Sequence, residues 1–222
     1  MLNQSSWSRV VAFLVLCTLC ASFAPDRARG LRTSVSMRAR PSARELEAVF
    51  VGGNTGDIRS KDASLEALLP LNPTKDPGLA KNFNKVANGL WRVNHAPHIR
   101  ALEKLLFTSL DVYYELQKGE MFSYVKFNFF GLRGHLCASG SYSSVDAQTC
   151  TIEWENIWTD FGKEQPSRVD EVDKHWLPSI IQPIGKAAFI QGVSVFPISY
   201  LSKDLIVFTF KLLGTKIVAR KA

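Results

Sequence analysis

The chain has 222 residues, 46% hydrophobic and 21% charged, a composition that excludes a disordered or collagen-like chain and suits one good-sized domain plus an extension, with a core stable without disulfides or metal. The net charge of +7 suggests nucleic acid or a membrane surface, but its distribution removes most of that. Residues 1–40 hold six arginines against Asp26 alone, whereas the rest holds 21 basic and 19 acidic groups, so electrostatics gives the body little support for nucleic-acid binding.

Residues 10–24, VVAFLVLCTLCASFA behind Arg9, have the length and flank of a signal-peptide apolar region and fall short of the ~20 apolar residues of a spanning helix. Residues 25–44 are rich in Arg, Ser and Ala with almost no acid, the composition of a transit peptide. In series the two resemble the bipartite plastid presequence of algae with secondary red plastids, and the ASFAP junction around Phe23 resembles its cleavage motif. The expected division is a signal peptide over 1–24, a transit peptide over 25–44, a linker or short helix over 45–59, and a folded domain over 60–222.

In the body, residues 43–51 carry a short helical pattern with Leu46, Val49 and Phe50 on one side. Residues 60–69 read as a helix with Leu65, Leu68 and Leu69 as its stripe. Pro70, Pro73 and Pro77 then impose an extended connection. One or two helical turns fit residues 79–86. Asn88-Gly89 is a turn, and residues 90–93 begin the first strand. The spacing Ile99, Leu102, Leu105, Leu106 is helical, while residues 112–116 (VYYEL) also fit a strand.

Residues 122–161 form a three-strand meander rich in Phe, Tyr, Val, Ile, Trp and Thr, with turns predicted at 131–134 (GLRG) and 143–148. A charged irregular piece follows over 162–173, then a short helix within 175–185. Strands return at 192–199, 204–212 and 215–220. Seven or eight antiparallel strands with hairpin links and an inserted helix suggest a sandwich or an up-and-down barrel, and eight strands enclose room for one small apolar ligand. Of the cysteines outside the leader, a simple hairpin sets Cys150 opposite Tyr142 and away from Cys137, so both are expected as buried reduced thiols.

Two stretches carry a family resemblance. Residues 65–93 read LEALLPLNPTKDPGLAKNFNKVANGLWRV, with Asn72, Pro73, Thr74, Pro77, Asn88, Gly89 and Trp91 as its markers. Residues 195–220 read VFPISYLSKDLIVFTFKLLGTKIVAR, with Tyr200, Leu201, Asp204, Leu205, Gly214 and Arg220. Both are similar to the entry and closing segments of the plastid lipid-associated protein (PAP)/fibrillin family. Departures are Asn94-His95-Ala96-Pro97, where that family has Tyr-Thr-Ser, and Ile206, where it commonly has Arg. The resemblance implies a mainly β, lipocalin-like antiparallel barrel with short N-terminal and inserted helices. It also implies residence in the plastid (chloroplast) at thylakoid or plastoglobule surfaces, and binding of prenyl quinones, carotenoids or other small lipophiles without catalysis.

Candidate cavity-lining residues are Trp91, Phe127, Phe129, Ile152, Trp154, Trp158, Tyr200 and Phe208, each of which fits core packing as well. Strict alternation puts Cys150, Ile152, Trp154, Asn156 and Trp158 on one face and Thr151, Glu153 and Glu155 on the other, outer one. Arg92 and Tyr200 are candidates for polar groups at a cavity mouth. His95 and His98 do not form a metal pair, because Pro97 breaks their spacing and no third ligand clusters nearby; a structural or surface role is expected for both. No nucleophile elbow, phosphate loop or convergent acid/base set marks an enzyme, and no cofactor is expected. Expected partners are a small lipophile and a membrane or plastoglobule surface met peripherally. The alternative is an interaction module with a filled core, holding an enzyme of prenyl-lipid or pigment metabolism at the membrane.

Overall fold

The computed structural model describes residues 41–52, 58–162, 164–171, 194–211 and 213–222. The stretches expected as a signal peptide (1–24) and, nearly all of it, as a transit segment (25–44), with the short helix expected within 175–185, lie outside them. The elements are α1 (Ala43–Val51), α2 (Ile58–Leu68), a 3-10 turn (Leu69–Leu71), α3 (Ala80–Ala87), β1 (Gly89–His95), α4 (Pro97–Leu106), β2 (Ser109–Gln117), β3 (Glu120–Phe129), β4 (Leu132–Ser144), β5 (Thr149–Phe161), a 3-10 turn (Val169–Glu171), β6 (Val195–Leu201), β7 (Leu205–Phe210) and β8 (Thr215–Lys221). The chain is mainly β. Each strand pairs antiparallel with the next, and β8 pairs back onto β1, closing the sheet into a ring.

Local chemistry sets most boundaries. Ser42 and Glu45 form a reciprocal capping box that starts α1, so Ala43 and Arg44, assigned by composition to the transit segment, belong to this helix. Pro97 opens α4 at a position where its missing N–H costs nothing. The ambiguous VYYEL stretch is strand, inside β2. Lys118-Gly119 and Phe130-Gly131 are two-residue hairpin loops, and all four residues have positive φ, the pattern of type I′ turns that match the twist of paired strands. The second loop therefore lies one residue before the predicted GLRG, and Leu132, Arg133 and Gly134 belong to β4.

Three irregularities in the ladder decide which side chains face inward. The register slips in β1 between Val93 and His95, in β6 between Ile198 and Tyr200, and in β5 opposite Ser139 and Gly140. At the last site Gly140 pairs with Trp154 but Ser139 pairs with Asn156, so Glu155 is an extra residue. A β-bulge of this kind reverses the facing of everything beyond it. Ile152 and Trp154 point inward before the bulge; Ile157 and Phe161 do so after it, and Trp158 is turned out.

Cys150 stands opposite Ser144, and Tyr142 opposite Ile152, two residues from the register expected of a simple hairpin. Cys137 pairs with Trp158 across the same ladder. Both thiols are free and buried, and burial pushes their pKa up, to about 12 for Cys137 and about 11 for Cys150.

The ends of the ring are closed by helices. At one end α3 sends in Phe83, edge-on to Tyr142 at 5.2 Å, and the Tyr142 hydroxyl donates to Asn84 Oδ1 at 2.7 Å. At the other, α4 lies across the barrel with Leu102 and Leu106 buried. Helices α1 and α2 pack outside β6–β8, where Leu46, Phe50, Leu65 and Leu68 cover Tyr200, Leu205, Val207 and Val218; full burial of each such side chain stabilises by about 1.5–3 kcal/mol.

The two sequence stretches that carry the family resemblance meet in space. Asn72 Oδ1 accepts from the Leu201 amide at 3.1 Å, and Thr74 Oγ1 donates to the Leu201 carbonyl at 2.5 Å. Arg220 Nη1 donates to the Val51 carbonyl at 2.8 Å. These residues join the entry segment and α1 to the closing strands.

Candidate functional site: an apolar cavity inside the barrel

Register defines successive inward layers. One contains Trp91, Tyr114, Ser123, Ala138 and Ile157; the next contains Val112, Val125, Leu136 and Thr159; a third contains Leu110, Phe127, Gly134 and Phe161. The inward positions of β4 include Gly134, Ala138 and Gly140, so this wall supplies little side-chain volume. The barrel is consequently not filled. A cavity of about 210 Å³ remains, lined on the β4–β5 side by Ala138, Ile152, Trp154 and Ile157, and closed towards α4 by Ile99 and Leu102.

Among the described residues no Lys, Arg, Asp or Glu lines the cavity. The polar side chains at its wall are few: His98, Tyr114, Ser123 and Tyr142, beside the Cys150 thiol; the Cys137 side chain is turned out, beside Phe122 and Trp158. Tyr142 is committed to Asn84. His98 Nδ1 lies 2.9 Å from Thr215 Oγ1, and its ring stacks on Phe210 at 5.2 Å; burial holds the imidazole neutral, with its pKa pushed down to about 4. The Tyr114 hydroxyl has no hydrogen-bond partner among the described residues, its ring meeting Phe208 edge-on at 6.2 Å. Burial raises its pKa to about 12, so it remains a protonated donor. Tyr114 and Ser123 are direct cross-strand neighbours and present two hydroxyls to an otherwise apolar space. Such a site can bind a neutral apolar molecule and orient one polar substituent.

Of the candidates read from sequence, Ile152, Trp154 and Phe208 line the cavity. Trp91 points inward but is fully buried as the barrel floor: its indole N–H donates to the Ala87 carbonyl at 2.6 Å, and Lys221 Nζ lies over its ring at 5.1 Å. Phe127 faces inward in the same layer as the lining residue Leu110 but is itself no part of the lining, its ring edge-on to Phe161 at 6.1 Å. Phe129 lies at the strand end against Phe130.

Trp158 is a correction. The β5 bulge turns it to the outer face, stacked on Phe122 at 5.7 Å. Tyr200 is another, turned outward by the β6 irregularity, where its hydroxyl donates to Glu47 Oε1 at 2.7 Å beneath α1. Arg92 sits on the outer wall, paired with Asp111 at 2.5 Å and lying over the Tyr113 ring, and serves no cavity mouth. The two histidines of HAPH part company. His95 is buried outside the barrel, 2.9 Å from Asp62 Oδ1, whereas His98 reaches the cavity. Glu153 and Glu155 are exposed on the outer face.

The residues missed by sequence reading are His98, Tyr114 and Ser123. The signal for Tyr114 was present in the alternation Leu110, Val112, Tyr114, Leu116, but it was masked by the helical reading of the preceding segment. No family model matches the chain, and no curated protein matches it. Among the described residues no group of His, Cys, Asp and Glu is arranged to hold a metal ion.

Proposed function

We propose that this chain is a non-enzymatic, lipocalin-like barrel of the PAP/fibrillin kind that binds a small neutral lipophile at lipid surfaces of the plastid. The observation that carries the reading is the apolar cavity, with a Tyr114 hydroxyl at its wall that has no partner among the described residues. Burial of a hydrocarbon there contributes about 25 cal/mol per Å², and the hydroxyl pair orients a carbonyl or hydroxyl head.

Size narrows the ligand. A cavity of about 150 Å³ holds a benzene ring, and drug-sized ligands occupy about 300 Å³ or more. At about 210 Å³ the site takes a single ring or a short branched chain. A carotenoid or a long prenyl tail projects from it. Among the described residues no cation lines the cavity, which disfavours free fatty acids, whose carboxylate would be buried unpaired.

The test is tryptophan quenching by a short-chain prenyl quinone, since Trp154 forms part of the wall. Saturable quenching is expected, and Ala138→Phe, which fills the space, abolishes it while leaving thermal stability unchanged or raised. Absence of saturable binding by the native chain, or unchanged binding by the variant, would overturn the reading. Co-purification with an enzyme of prenyl-lipid metabolism in that case would favour the interaction module instead.

A further inference from the structure

The geometry points to a membrane-docking face formed by the tip of α4 and the β3–β4 turn, whose exposed aromatic rings enter an anionic lipid interface. This rests on the lipid-surface arm of the proposed function and is independent of what the cavity binds.

Phe107 and Phe130 are 86% and 83% exposed, and Leu105 is 64% exposed. They are the three most exposed large apolar side chains among the described residues. The two phenylalanines also share an unusual backbone. Phe107 has φ +50 as the residue ending α4, and Phe130 has φ +47 in its hairpin loop. Gly, Asn and Asp take this left-handed region at lower cost, and a bulky residue there is uncommon. The fold is thus served worse by phenylalanine at both sites than by the ordinary turn residues, and neither ring is used for packing in the core.

The two tips act as one surface. Ser109 pairs with Asn128, and Thr108 Oγ1 donates to the Asn128 carbonyl at 2.6 Å. This bond ties the end of α4 to the strand that carries Phe130. The charge flanking them in sequence has one sign. Residues 105–109 and 128–134 contain no acid, while Lys104 and Arg133, each three residues in sequence from its phenylalanine, are exposed. Glu103, the nearest acid in the helix, is turned back to accept from the Leu110 amide at 2.9 Å. Protruding rings flanked by cations match the interface of an anionic bilayer, where aromatic side chains sit at headgroup level and nearby Lys and Arg meet lipid charge. Separate protruding rings offer no groove to a helix or strand of another protein. Docked this way, the membrane lies against α4, the helix that supplies Ile99 and Leu102 to the cavity wall.

The test is amide hydrogen exchange on the full chain, alone, with phosphatidylcholine vesicles, and with vesicles of phosphatidylcholine and phosphatidylglycerol in equal parts. This local readout is unaffected by lipid contact elsewhere in the chain. Slowed exchange is expected at 104–109 and 128–133 with the anionic vesicles. Phe107→Asn with Phe130→Asn should weaken that effect by about tenfold or more, given the apolar area each ring buries. Because Asn accepts the left-handed conformation, the double variant keeps its melting temperature and its quinone quenching. Three outcomes overturn the proposal: vesicle flotation with no slowing at these two stretches, which leaves lipid binding but on another face; slowing that follows protein concentration without vesicles, which makes the face a contact between copies; and no flotation at all, which removes the lipid-surface arm itself. Quinone quenching is scored separately, so failure here and failure of the cavity reading are distinguishable.

Discussion

Tyr114 illustrates how a single side chain gives an apolar space selectivity. Its hydroxyl faces the cavity without a protein partner among the described residues, leaving its hydrogen-bonding capacity to be met by whatever occupies that space. A ligand carbonyl or hydroxyl does so. Tyr114→Phe should therefore weaken binding of a ligand with a polar head by about 3–10-fold, the worth of one neutral hydrogen bond, and leave a plain hydrocarbon of equal size unaffected. Parallel titrations of the quinone and its hydrocarbon analogue check this; equal losses for both would show that the hydroxyl has no orienting role. Trp91 and Tyr200, by contrast, use their polar atoms on the protein itself, through Ala87 and Glu47.

At the scale of the element, the bulge in β5 does most to shape the site. It depends on Gly140. A Cβ there would lie 2.1 Å from the Glu153 carbonyl oxygen, closer than any real contact, so the β5 backbone would have to move. Gly140→Ala should destabilise by about 3 kcal/mol, within the range for forced overpacking. Straightening β5 would turn Trp158 from its stack on Phe122 towards the barrel, so a change in near-ultraviolet circular dichroism should accompany the loss in urea melts. A variant with native stability and spectrum would show that the bulge is not held by this glycine. The two type I′ loops work differently. They set strand register by backbone twist alone, and their side chains are free to face outward, which is what leaves Phe130 available at the surface.

For the whole molecule, helices pack against the barrel along apolar seams, and three of the described histidines sit there or on the wall. His98 lies between α4 and the β7–β8 turn, His95 between β1 and the α1–α2 pair, and His135 on the outer wall beside Tyr124. Burial lowers the pKa of all three in the folded state. The unfolded chain then binds more protons than the folded one just below the ordinary histidine pKa of 6.5, so stability falls as pH drops through that value. For His98 the loss continues until about pH 4 and is complete below it. Above the unfolded value these groups contribute no further pH dependence. Urea melts at about pH 7 and about pH 4.5 should differ, and His98→Asn should flatten the difference by roughly 1–3 kcal/mol. An unchanged pH dependence in that variant would place the proton uptake elsewhere.

Composition and periodicity determined the class of the molecule: β-rich hairpins from residue 122 onward, a stripe of leucines in α2, proline breaks before α3, and a number of strands sufficient to close. These are local properties, written in side-chain type and spacing within a few residues. Facing was decided only in the tertiary structure. Alternation predicts it correctly up to the first extra residue, and the sequence around Glu155 or Ser199 holds no mark of a bulge, because a bulge arises from how two strands fit together. Ile152 and Trp154 were therefore legible as cavity residues, while Trp158 and Tyr200 were placed on the wrong side. The cavity itself also had to come from the assembled barrel. Its space results from small inward residues of β4 meeting no compensating bulk from the strands opposite, and volume left between distant segments is a property of no single one of them.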